Sequence, residues 1–200
     1  MSYLCWNSYT VCDNFSQLLN DNALEYAEIM GITNRSIEEL NENWFDPEFV
    51  KFTEIYKEGL KSFPLLGQTM FDLAAYLDEV SNIIRELKNL DFKNVNNETF
   101  PNIQFHSPDN IANDDESRYD DADSLLDNAL KLETFIEKLR DVYEKIDSEM
   151  RKVEEDWKDQ KYEEFKESFY NCFKVLEPII EATTECIKYE RKQVAILKKY

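Results

Sequence analysis

The chain reads as an all-α protein: two tandem helical hairpins forming an elongated antiparallel four-helix bundle. Three observations predict this. Only 3 glycines and 5 prolines occur in 200 residues, whereas a sheet protein of that length needs many tight turns. Apolar residues recur at spacings of three and four over long runs, the period of a helix with one buried stripe. One phrase, W-x-D-x-x-[F/Y]-x-x-F, occurs twice, as WFDPEFVKF from Trp44 and WKDQKYEEF from Trp157.

Residues 1–13 form an N-terminal segment carrying Trp6, Cys5 and Cys12. The first hairpin is expected over 14–90. Its first arm is helical but interrupted near Gly31, and Ser36 with Glu39 forms a capping box that restarts it. At the elbow, Asp46 is a cap, Pro47 suits the first helical position and Glu48 faces the positive helix end. Phe49, Phe52, Tyr56, Leu60, Phe63, Met70, Ala74, Leu77 and Ile84 then mark one long second arm to about Leu90, kinked at Pro64.

Residues 91–122 read as a connection rich in asparagine and acids, the acidic linker. Phe100, Ile103 and Phe105 are placed to dock part of it on the helices.

The second hairpin is expected over 123–200. Leu125, Ala129, Leu132, Ile136, Leu139, Tyr143, Ile146, Met150, Val153 and Trp157 run at four-three spacing without a break. The seam resumes at Tyr162, Phe165, Phe169, Cys172, Leu176, Ile179, Thr183 and Cys186. The short DWKD connection lets the two stripes fold on each other, with Asp159 placed to cap the second helix. Pro178 falls at the counterpart of Pro64, where it too is expected to kink its helix, one residue out of step, as a duplication followed by one insertion would leave it.

At 42% hydrophobic and 14% aromatic residues the chain can fill a core, despite 32% charged residues. A net charge of -19 repels phosphate backbones and anionic membranes, so no nucleic acid is expected as partner. The charge suits solubility, or a basic protein partner. No apolar run approaches the roughly twenty residues of a membrane span. The opening MSYLCWNSYTVCDNF lacks a basic stretch followed by an apolar one. The expectation is a cytoplasmic protein, exported, if at all, without a cleavable signal peptide.

The elbow residues, Trp44, Asp46, Phe49 and Phe52 in the first and Trp157, Asp159, Tyr162 and Phe165 in the second, each have a packing reason. The indole fills the gap where two helices diverge, the acid caps the incoming helix, and the aromatics stay on its inner face. The combination also resembles the WXG superfamily of type VII secretion proteins, helical hairpins that turn at W-x-G and pair into four-helix bundles. The resemblance covers about Asn14 to Leu90 and Asp123 to Tyr200, with aspartate in place of glycine at Asp46 and Asp159. It implies that one chain carries both hairpins of a bundle such proteins form as dimers. The family's Y-x-x-x-[D/E] signal after the last helix is absent, since Tyr189 is followed four residues on by Gln193.

No cofactor and no catalytic or metal site is expected. The one histidine, His106, lies in the linker, no C-x-x-C occurs, and the linker acids lack the spacing of a calcium loop. Cys172 and Cys186 fall on the apolar stripe and read as buried thiols. No Gly-rich phosphate loop, G-x-S-x-G or H-E-x-x-H is present. An enzyme would need a cleft with convergent polar groups. The expectation is a non-enzymatic protein-interaction module resembling WXG proteins: cargo, adaptor or co-secreted partner of a bacterial secretion or toxin system. The alternative is a cytosolic acidic immunity protein or chaperone that masks a basic partner.

Overall fold

Five helices make up the regular structure of the computed structural model, which describes residues 8–43, 47–105, 122–154 and 159–199. They are α1 (Tyr9–Asn43), α2 (Pro47–Gly59), α3 (Phe63–Leu87), α4 (Ala122–Val153) and α5 (Gln160–Leu197). No strand occurs among the described residues, so the fold is all-α.

The predicted seams are the buried ones. In α4, Leu125, Ala129, Leu132, Leu139 and Ile146 are fully buried, and in α5 so are Tyr162, Phe169 and Thr183. Tyr143 is half-buried and packs face to face on Phe169, ring centroids 5.5 Å apart. Cys172 and Cys186 are buried free thiols.

Three expectations about the first half are corrected. First, α1 is unbroken through Gly31 and begins at Tyr9, inside the segment set apart as 1–13. A mid-helix glycine costs only about 1 kcal/mol relative to alanine, and Phe15, Leu19, Met30 and Ile37 of this helix are fully buried. Second, Ser36 caps nothing. It sits mid-helix, and its hydroxyl donates to Asn128 Oδ1 at 2.6 Å. Third, the second arm is two helices, with turns at 60–62 between α2 and α3. Pro64 is the second residue of α3. It has no N–H and its ring crowds the carbonyl four residues back, so it fits a first turn best, and here it opens α3 rather than continuing α2. By contrast α5 is continuous through Pro178.

The end of α3 shows how a helix stops without glycine. Asn89 takes a left-handed φ of 53°. Its amide bonds Glu86 O at 3.1 Å and the Leu90 amide bonds Arg85 O at 2.9 Å, the paired bonds of a Schellman cap.

The described residues fall into two compact units. The first comprises Met1–Ala27, Phe63–Pro101 and Arg140–Lys174; the second comprises Glu28–Ser62, Asn102–Leu139 and Val175–Tyr200.

In the first unit residues 91–101 of the linker form a docked strap along α3. Lys93 and Asn82 exchange two bonds, amide to Oδ1 at 2.7 Å and Nδ2 to carbonyl at 2.8 Å. Lys93 Nζ meets the buried Asp78 at 2.7 Å. The Phe100 amide bonds Gln68 Oε1 at 2.9 Å, and its ring packs with Tyr26 and Phe71. A Cβ on Gly67 would collide with that ring, so glycine is what admits it. On α1, Asp13 accepts from Arg85 of α3 at 2.6 Å and from Ser81 at 2.6 Å. Between α4 and α5, Tyr162 donates to Met150 O at 3.0 Å and Tyr170 to Asp147 at 2.6 Å. Later residues of α5 thus meet earlier residues of α4, so these segments are antiparallel.

In the second unit Tyr56 of α2 is fully buried. Its hydroxyl donates to Asn34 Oδ1 at 2.7 Å, and its ring packs edge-on against Phe105 and Phe135. Asn34 Nδ2 in turn donates to Gln104 O at 3.1 Å, which fixes the end of the described strap. Gly59 lies against Ile179 so closely that a Cβ there would overlap the isoleucine side chain. Arg191 of α5 pairs with Glu133 of α4 at 2.7 Å.

Candidate functional site: a groove between α2 and α5

Trp44, Asp46 and Trp157, with His106 and the acidic run of the linker, lie outside the described residues. Of the predicted elbow residues, Phe49 and Phe52 are buried in α2 and belong to the second unit. Asp159, Tyr162 and Phe165 belong to the first, where Tyr162 and Phe165 are buried. The five described elbow residues thus fall two in the second unit and three in the first. Asp159 serves two elements at once. Its Oδ1 accepts the Tyr162 amide at 2.8 Å, an N-cap for α5, while Oδ2 accepts the Tyr76 hydroxyl at 2.6 Å.

Among the described residues, one feature that suits a ligand is announced by no motif in the sequence. Along α2, Phe49, Phe52 and Tyr56 point inward while Glu48, Lys51 and Ile55 stay exposed. Against the C-terminal part of α5 this leaves an open groove of about 410 Å³. Phe52, Ile55, Ala182, Cys186 and Tyr189 give it an apolar lining. Lys51 and Lys192 stand on its rim, and Lys188, also there, is engaged by Glu185 at 2.7 Å. The volume falls in the range of a small-molecule or side-chain pocket, roughly 300–1,000 Å³.

Cys186 connects this groove to a buried polar chain. Ser36 Oγ donates to Asn128 Oδ1 at 2.6 Å, Asn128 Nδ2 donates to Glu190 Oε1 at 2.6 Å, and Cys186 Sγ lies 3.5 Å from the same oxygen. Glu190 is fully buried. Burial pushes its carboxyl up to about 8, against the opposing pull of the Asn128 and Cys186 bonds. Ser36 and Asn128 also line a smaller open cavity of about 160 Å³.

The sequence does carry a signal for Glu190. Counting on from Thr183 and Cys186 by three and four lands on it, so a glutamate occupies a seam position. Asn128 likewise stands beside Ala129 of the α4 seam. Chemically, the groove offers burial for apolar surface and a rim of mixed charge, Lys51 and Lys192 with Glu48 and the Lys188–Glu185 pair. The Cys186 thiol lies beside this raised carboxyl. Among the described residues no group of three or more His, Cys, Asp or Glu side chains is placed to hold a metal ion. Nor is any helix among them long and apolar enough to cross a membrane.

Comparison with protein-family models, curated proteins and solved structures finds no match to this chain.

Proposed function

We propose that this chain is a non-enzymatic protein-interaction module, built as two related hairpins, α1 with α2–α3 and α4 with α5, that pack as one antiparallel four-helix bundle. The groove between α2 and α5 carries the functional part of the reading. It is an open apolar slot, bounded by two helices and rimmed by lysines and glutamates, which suits the apolar face of a partner helix or a short segment. The antiparallel order of the α4–α5 contacts supports the hairpin part. The repeated Trp-x-Asp elbows support kinship with WXG-type secretion proteins, with this chain as cargo, adaptor or co-secreted partner in a bacterial secretion or toxin system.

Ile55→Glu tests the groove without disturbing the core, because Ile55 is 36% exposed. A protein partner that co-purifies with the native chain and is lost with the variant supports the reading. A partner retained equally by both places the interaction elsewhere.

The charge of -19 favours a second reading, an acidic immunity protein or chaperone held to a basic partner over a broad surface. That complex would dissociate steeply with added salt, since exposed charges are screened over roughly 8 Å at physiological ionic strength. A groove-centred complex would be held mainly by apolar burial and would persist.

A further inference from the structure

Glu190 is a buried acid without a basic partner. It lies on α5 with no solvent exposure, and its Oε2 has no hydrogen-bond partner. Oε1 receives both the Asn128 amide and the Cys186 thiol. A carboxylate offers about four lone-pair sites, so ionised Glu190 would carry one oxygen with nothing to compensate it, in a medium where that is costly. As a neutral acid it accepts at Oε1 and leaves only an uncharged hydroxyl unpaired at Oε2, which costs less than an unpaired charge.

We propose that Glu190 is a proton-operated lock on this unit: neutral, it sits without charge in the chain Ser36–Asn128–Glu190–Cys186 that ties α1, α4 and α5, and ionised, it places a buried, uncompensated charge at Oε2 that loosens their packing while the bonds into Oε1 persist. The surroundings support this. Facing it from α1 and α4 are a hydroxyl and an amide, Ser36 and Asn128, and from α5 a thiol, Cys186. Arg191, next in sequence, is committed to Glu133, and Lys131 of α4 to Asp127 at 2.8 Å. Of the ionisable side chains of α2, Glu48, Lys51, Glu54, Lys57 and Glu58 are exposed, and the buried Tyr56, its phenol raised by burial, is engaged with Asn34. No ionisable residue occurs in the strap residues 102–105. Burial raises the carboxyl from its ordinary 4.5 to about 8. The lock therefore releases just above neutrality, beneath a residue that lines the groove.

The sign follows from linkage. An acid whose folded value is raised holds its proton in the native state after the unfolded chain has lost it. Its stabilising contribution is whole below about 4.5 and declines as pH rises, until it is gone above about 8. In between, the folding constant falls up to tenfold per pH unit.

Two measurements decide it. Urea unfolding of the native chain and of Glu190→Gln is followed from pH 5 to 9. Gln keeps the acceptor and cannot ionise, so the variant loses this slope and is the more stable of the two above pH 8. Equal slopes overturn the proposal. Infrared spectra of the native chain provide the second, needing no variant. A protonated-carboxyl band that titrates with a midpoint near 8 is expected, and its absence at neutral pH overturns the proposal.

Discussion

The Tyr170 hydroxyl donates to Asp147 Oδ1 at 2.6 Å. In the other unit the Tyr56 hydroxyl donates to Asn34 Oδ1 at 2.7 Å. Asn34 and Asp147 stand equally far before the two repeated tryptophans, and Tyr170 follows its tryptophan one residue later than Tyr56 does, the same slip that separates Pro64 from Pro178. A tyrosine hydroxyl thus meets a side-chain oxygen at corresponding distances from the two tryptophans.

These paired bonds are expected to differ in weight. Tyr56→Phe strands a buried acceptor and should cost about 1–3 kcal/mol. Tyr170→Phe should cost less, about 0.5–1.5 kcal/mol, because Asp147 keeps Arg151 at 2.9 Å. Urea midpoints of the two variants check the order, and a Tyr170 variant that is the weaker would reverse it.

Asp159 is expected to matter twice. Asp159→Ala removes the cap of α5, worth about 1 kcal/mol, and also the acceptor of Tyr76. Tyr76→Phe removes only the second bond, so it should reproduce only part of the loss. Equal melting temperatures for Asp159→Ala and the native chain would show that neither bond contributes.

The strap is expected to be integral to the first unit. Phe100→Ala should cost about 3–5 kcal/mol as a buried aromatic truncation. Gly67→Ala should displace the same ring, so the two losses should overlap and the double variant should be less than additive. Strict additivity would mean that Gly67 and Phe100 act independently.

Acid should weaken the first unit through Asp13. Desolvation raises its carboxyl, but hydrogen bonds from Ser81 and Arg85 and the charge of Lys93 outweigh that and leave it below the ordinary 3.8. A lowered acid contributes stability above its ordinary value and loses it as pH falls through the folded one. Asp13→Asn should therefore flatten the unfolding curve below about pH 4 and lower stability at neutral pH. An acid limb unchanged by the substitution would show that Asp13 plays no part in it.

The buried seams of α4 and α5 are legible in the sequence because helical spacing alone decides which side chains face inward, from Leu125 to Val153 and from Tyr162 to Cys186. The first half is harder to read. A mid-chain glycine and a Ser–Glu pair imitate a helix end in α1, yet the buried face on both sides of Gly31 carries the helix through. Pro64 suggests a kink, but with α2 ending before it the chain breaks instead. The groove is not legible at all. It depends on where the exposed edge of α2 and the end of α5 fail to meet, which no local pattern encodes. Glu190 stands openly on the seam, and only the helices around it reveal that it has no cation.

A photo-crosslinking residue placed at Ile55 tests the groove most directly, with Leu130, 49% exposed in the same unit, as the control position. In the cells that make this protein, one defined protein adduct is expected from position 55 and none from position 130. Adducts from position 130 alone, or from neither position, would contradict a groove-centred interaction.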